Sequence, residues 1–169
     1  MTLQEDTLQN QNKDIRLNKK PNNLKKVIIS KCLLGEYCRY DGKTKKFPEI
    51  LEHFKNYEII PFCPEAPVFG TPREKIDVVE IDNQKKIIKH FTKKDVTKEL
   101  YDEIVSFCQN IPQTDEIVLK SKSPSCGYKT TPILDKNGNI IKYENGLATD
   151  IFLKFYKNIK IKDEHSFKI

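Results

Sequence analysis

The stretch KKVIISK, residues 25–31, decides how the chain is read. Its β-branched centre, Val27, Ile28 and Ile29, reads as a buried strand. It runs directly into CLLGEYCRYDGKTKK (32–46), a loop with Gly35 and an Asp-Gly turn at 41–42. FPEILEHFKN (47–56) then spaces Ile50, Leu51 and Phe54 three and four residues apart, with Pro48 near its start. That spacing predicts a short amphipathic helix. YEIIPF (57–62) predicts a second strand, which Pro61 helps to end.

Downstream the alternation continues. CPEAPVFGTPREK (63–75) is proline-rich, so a stiff irregular loop without helix is expected. DVVEID and KKIIKHF flank Asp82-Asn83-Gln84 and predict a hairpin. DVTKELYDEIVSFCQNI (95–111) puts Leu100, Ile104, Phe107 and Cys108 on one helical face, with Thr97 as the expected N-cap. EIVLK (116–120) is a third strand, leading into KSKSPSCGYKT (120–130). PILDKNGNIIKY predicts a second hairpin around Asn137-Gly138, and LATDIFLKFYKN a last helix capped by Thr149 or Asp150. Strands alternating with helices predict an α/β fold: a single domain with a mainly parallel central sheet flanked by helices, plus β-hairpins. No internal repeat, heptad pattern, Gly-x-Gly-x-x-Gly or Walker-type phosphate loop is present.

The chain has 169 residues, enough for one well-formed core. No apolar run approaches a membrane span. The N-terminal stretch lacks the apolar middle of a secretory signal, and the expectation is a cytoplasmic protein. Residues 1–24, rich in Asn, Gln and Lys, are expected to form a disordered tail, with residues 25–169 as the folded domain. The net charge is +6, from 30 basic and 24 acidic residues. Residues 1–26 carry six basic and three acidic side chains, so half of the excess lies in the tail and its edge. A nucleic-acid binder concentrates its charge on the folded body with aromatics interleaved, so this distribution argues against nucleic acid as a partner. The expected partner is a small molecule, with no membrane.

Five cysteines, an odd number, argue against a disulfide framework and for metal binding or reactive thiols. Cys32 directly follows the first predicted strand and Cys63 the second. Cys126 lies six residues beyond Lys120, at the end of the third. In a parallel sheet the carboxyl ends of the strands share one edge, where ligand sites gather. Three thiols distant in sequence can therefore meet there. Soft sulfur donors suit zinc or an iron–sulfur cluster, and no Cys-x-x-Cys knuckle of a zinc ribbon occurs. The alternative is three small core cysteines beside turns.

ISKCLLGEYCRYDG, PFCPEAPVFGTPRE and LKSKSPSCG together resemble the three signature blocks of the thiouracil desulfidase family, and ENGLAT resembles the segment before that family's last helix. The likeness spans roughly residues 26–155. It implies a [4Fe-4S] cluster held by Cys32, Cys63 and Cys126, and a non-redox removal of sulfur from thiolated nucleobases such as 2-thiouracil. Ser123 is then a candidate for hydrogen bonding the substrate or its leaving sulfur, against an ordinary turn hydroxyl. Glu65 and Asp41 are candidates for positioning or deprotonating water, against structural hydrogen bonding. Cys38 is a possible fourth ligand that would close the cluster, and Cys108 is assigned to core packing. Arg39 and Arg73 either bind an anionic group or tie loops together. The chain departs from the family pattern at Val68-Phe69 and in the 95–111 helix. These departures are expected to reshape the pocket more than to affect the cluster.

Overall fold

The structure, a computed structural model, describes residues 23–168. The expected tail falls almost wholly outside them; Asn23 and Leu24 are exposed and irregular. In chain order the elements are β1 (Lys26–Ser30), a 3-10 turn (Lys31–Leu34), α1 (Pro48–His53), β2 (Glu58–Phe62), α2 (Ala66–Phe69), β3 (Ile76–Ile81) and β4 (Gln84–Lys89). They continue with α3 (Thr97–Asn110), β5 (Glu116–Leu119), β6 (Thr131–Leu134), β7 (Ile140–Glu144), α4 (Leu147–Phe155), β8 (Lys160–Asp163) and a closing 3-10 turn (Glu164–Phe167).

The first sheet has the order β2-β1-β5-β8 and is parallel throughout. β1 is central: Ile28 lies opposite Ile60 on one side and Ile117 on the other. Successive side chains of a strand point to opposite faces. Ile28 accordingly packs with Ile104 of α3 and Phe152 of α4, whereas Val27 and Ile29 pack with Leu33, Ile50 and Phe54 on the α1 side. All three β1 residues are fully buried. An apolar run without alternation is what a strand covered on both faces requires.

The second sheet has the order β4-β3-β6-β7. Both expected hairpins are in it. Asp82 and Asn83 turn β3 into β4 with φ of 51° and 61°, the positive pair of a two-residue hairpin turn. The second hairpin turns at Gly138, φ 85°, with the Asp135 carboxylate accepting from the backbone N–H of Asn137 and Asn139. A parallel pairing, Val78 opposite Ile133, joins the two hairpins into one sheet.

Several local expectations are corrected. The 63–75 segment does contain a helix, the single turn of α2. Pro67 falls in its first positions, where a missing N–H costs no hydrogen bond, and Gly70 ends it. Thr97 is the first residue of α3 rather than its cap; Asp95 accepts from the Thr97 N–H at 2.9 Å and its hydroxyl at 2.6 Å. The cap of α4 is Gly146, not Thr149 or Asp150. β8 was not expected; its KIKD segment is short and mostly charged.

Candidate active site

Four adjacent parallel strands end at one edge, and the segments that follow them carry the candidate side chains and their supports. β1 delivers Ser30 and Cys32, β2 Cys63 and Glu65, β5 Lys120, Ser121 and the loop to Cys126, and β8 Glu164. A cavity of about 310 Å³ opens at this edge, and Cys32, Cys38, Cys63 and Cys126 all line it. Cys108 is buried on α3 in the main core, as expected.

Cys63 sits just before α2. The Cys38 thiol hydrogen-bonds its sulfur, and the backbone N–H groups of Ala66 and Glu65 add to this. Together they bring the Cys63 thiol down to about 6, against the opposing effect of burial. Cys38 is pushed far up by that same bond and by burial. Burial pushes Cys32 up to about 11, although Lys120 and Arg39 oppose it. Burial raises Cys126 further; its sulfur lies 3.6 Å from Ser125 Oγ, a gap that either atom's proton can bridge.

The Cys126 loop is held by the start of α4. Gly146 N–H donates to the Gly127 carbonyl at 2.8 Å, and Ala148 N–H to the Ser125 carbonyl at 2.8 Å. A Cβ on Gly146 would lie 2.6 Å from the Ser125 carbonyl carbon, so no side chain fits there. This close approach gives ENGLAT its structural meaning.

Ser123 serves as a turn hydroxyl and also lines the cavity. Its Oγ accepts from the Cys126 N–H at 3.1 Å and lies 3.3 Å from Ser125 Oγ. Ser125 donates in turn to Glu65 Oε1 at 2.6 Å. Glu65 is buried, and its Oε2 accepts from Arg73 Nε and Nη2, both at 3.1 Å. Arg73 therefore ties loops together, since its Nη1 also donates to the Cys38 carbonyl at 2.8 Å. Asp41 does not line the cavity. Its Oδ1 accepts from the Lys43 N–H at 3.0 Å and faces Arg39 Nε at 3.4 Å, so it fixes its own turn. Val68 and Phe69 are also absent from the lining; Phe69 packs against the main core.

Sequence reasoning missed the carboxylate that holds two lining residues, Lys120 and Ser121. Glu164 is buried and accepts from Lys120 Nζ at 2.5 Å, Ser121 N–H at 2.8 Å and Ser121 Oγ at 2.7 Å. Nothing local marks it, because its partners lie over forty residues away. The charge of the cavity was missed as well. Seven basic side chains line it and Glu65 is the single carboxylate, a wall that attracts anions. Among the described residues no three His, Cys, Asp or Glu side chains are gathered closely enough to hold one metal ion; the thiols border a space rather than meeting at a point.

Residues 27–164 match the family model described as 2-thiouracil desulfurase. The chain belongs to that family. It is 31% identical over 111 residues to an uncharacterized protein, YbbK, of Bacillus subtilis (strain 168), an overlap of 60% of this chain and 72% of that one. Its fold is similar, with a TM-score of 0.62, to that of the [4Fe-4S]-dependent thiouracil desulfidase TudS. The two are 26% identical, and the match covers 84% of this chain and 92% of the other. The two four-stranded sheets form an α/β scaffold, and in this chain Cys32, Cys63 and Cys126 all line the cavity at the edge of the first.

Proposed function

We propose that this chain is an iron–sulfur-dependent desulfidase that removes sulfur from a thiolated nucleobase such as 2-thiouracil. The observation that carries this reading is the presence of Cys32, Cys63 and Cys126, each from a different strand end, in one cavity. Family membership and the likeness to TudS support it.

The donors fit a cluster. Three thiols supply soft ligands, backbone N–H groups face the Cys63 sulfur, and the surrounding wall is cationic, as suits an anionic group. Cys32, Cys63 and Cys126 would hold a [4Fe-4S] cluster, which would supply a Lewis-acidic iron with affinity for sulfur. The net reaction exchanges a thiocarbonyl and water for a carbonyl and hydrogen sulfide, with no change in oxidation state.

The chain's own residues then manage water and protons. Ser123 Oγ, Ser125 Oγ and Glu65 Oε1 form a hydrogen-bonded line that begins in the cavity lining. A proton released by the attacking water passes to Ser125 Oγ as that hydroxyl gives its own to Glu65 Oε1. Arg73 holds the Glu65 carboxylate in place through Oε2. The substrate is a small molecule taken from solution by a cytoplasmic enzyme; no helix among the described residues is long and apolar enough to cross a membrane.

Serine variants test the ligand set. Cys32→Ser, Cys63→Ser and Cys126→Ser, reconstituted anaerobically, should each lose iron and sulfide release, while Cys108→Ser keeps both. Full iron retention in any one of the three would remove that residue from the set. A second reading, a metal-stabilised sulfur-handling module without turnover, draws on Cys38 lining the same cavity as a fourth donor. Cys38→Ala separates the two: retained iron and turnover support the desulfidase, and loss of iron supports the closed site.

A further inference from the structure

Cys38 has no part in the proposed chemistry, yet it stands against Cys63. Cys63 Sγ lies 3.9 Å from the Cys38 carbonyl oxygen, and both cysteines line the same cavity. One guanidinium fixes their loops together, Arg73 donating to the Cys38 carbonyl and to Glu65, two residues beyond Cys63. Of the five cysteines, Cys38 and Cys63 are partly exposed, whereas Cys32, Cys108 and Cys126 are buried. The accessible thiols are therefore the adjacent ones.

We propose that Cys38 and Cys63 are a modification site, closing to an intramolecular disulfide when the metal-free chain meets a peroxide. The Cys63 sulfur attacks one peroxide oxygen, the O–O bond breaks, and a sulfenic acid and one water result. The Cys38 sulfur then attacks the sulfenic sulfur and displaces its hydroxyl, which leaves as a second water with the Cys38 proton. Two thiols lose two electrons and two protons in total, and one hydrogen peroxide takes them. The reaction involves only this chain's own thiols and stands apart from the cluster reading. If Cys63 is a ligand, the bond also keeps it out of the donor set until a thiol reductant reopens it.

The test is disulfide mapping of the full-length, metal-free chain after hydrogen peroxide. A protease that cuts after glutamate, at Glu36, Glu58 and Glu65, puts Cys32, Cys38 and Cys63 on separate peptides. The expected result is loss of two of the five free thiols, a Cys38–Cys63 linked peptide, and recovery of both thiols with dithiothreitol. In Cys38→Ser the linked peptide disappears and Cys63 proceeds to the sulfinic acid. Cys63 linked to Cys32 or Cys126, or Cys38 left as a free thiol in the oxidised wild-type chain, would overturn the proposal; neither reading needs the variant to fold.

Discussion

Thr149, in the first turn of α4, donates its hydroxyl to the Cys126 carbonyl at 3.0 Å, and both residues are buried. The last helix thereby fixes the loop that carries the third thiol. Thr149→Val keeps the shape and leaves that carbonyl without its partner, which should cost about 1–2 kcal/mol. Gly146→Ala drives a Cβ into the Ser125 backbone and should cost about 1–3 kcal/mol. Denaturant unfolding checks both values. The reconstituted variants should also hold less iron than Cys108→Ser.

Arg73 and Glu65 form a nearly buried ion pair, their side chains 5% and 10% exposed. Arg73→Met leaves the carboxylate without its cation and should destabilise the chain by about 3–5 kcal/mol. Glu65→Gln still accepts a hydrogen bond but takes no proton. Its sulfide release should fall by roughly a hundredfold or more. Unchanged turnover with normal iron content in Glu65→Gln would assign Glu65 to structure alone.

Glu164 gives the support of two lining residues, Lys120 and Ser121, an acid dependence. Burial acts to raise its carboxyl, but hydrogen bonds from Lys120 and Ser121 outweigh this and hold it below the ordinary range. A carboxyl depressed by folding adds stability above its unfolded pKa, about 4.3, and loses it as the pH falls through the folded value. Glu164→Gln should therefore be less stable than wild type by about 3 kcal/mol at pH 7, a gap that narrows below about pH 4.3. Parallel denaturant titrations across pH check it. A gap that does not change with pH would remove Glu164 from this role.

Thiol alkylation separates Cys63 from its neighbour. Lowered to about 6 by the Cys38 thiol and the Ala66 and Glu65 N–H groups, Cys63 is mostly thiolate at pH 7. Its rate with iodoacetamide in the metal-free chain should hardly change from pH 7 to 9, whereas an unperturbed thiol gains roughly twentyfold. Cys38, raised by the same bond, should react far more slowly. Peptide-resolved mass spectrometry reads both rates.

Much of this was legible in the residues. The unbroken apolar run at 27–29 marked the central strand, and the placement of Cys32 and Cys63 directly after strands located the sheet edge. Ser123 and Glu65 were singled out because they sit within three residues of a cysteine, and both line the cavity. What escaped was carried by contacts between distant segments. Ser125 links Ser123 to Glu65 across 60 residues, and Glu164 reaches Ser121 across 43. Likewise β3 pairs with β6 through tertiary contact, which no local pattern encodes. α2 was lost to over-reading: Pro67 forbids a helix interior but suits a first turn.

The proposed desulfidation requires Cys32, Cys63 and Cys126 together to hold iron and sulfide. Anaerobic reconstitution with iron and sulfide, followed by 2-thiouracil, tests it in one assay that follows bound iron, visible absorbance and sulfide release. The expected result is a brown protein that retains iron through gel filtration and turns 2-thiouracil into uracil and sulfide. A colourless chain that binds no iron under those conditions would contradict it.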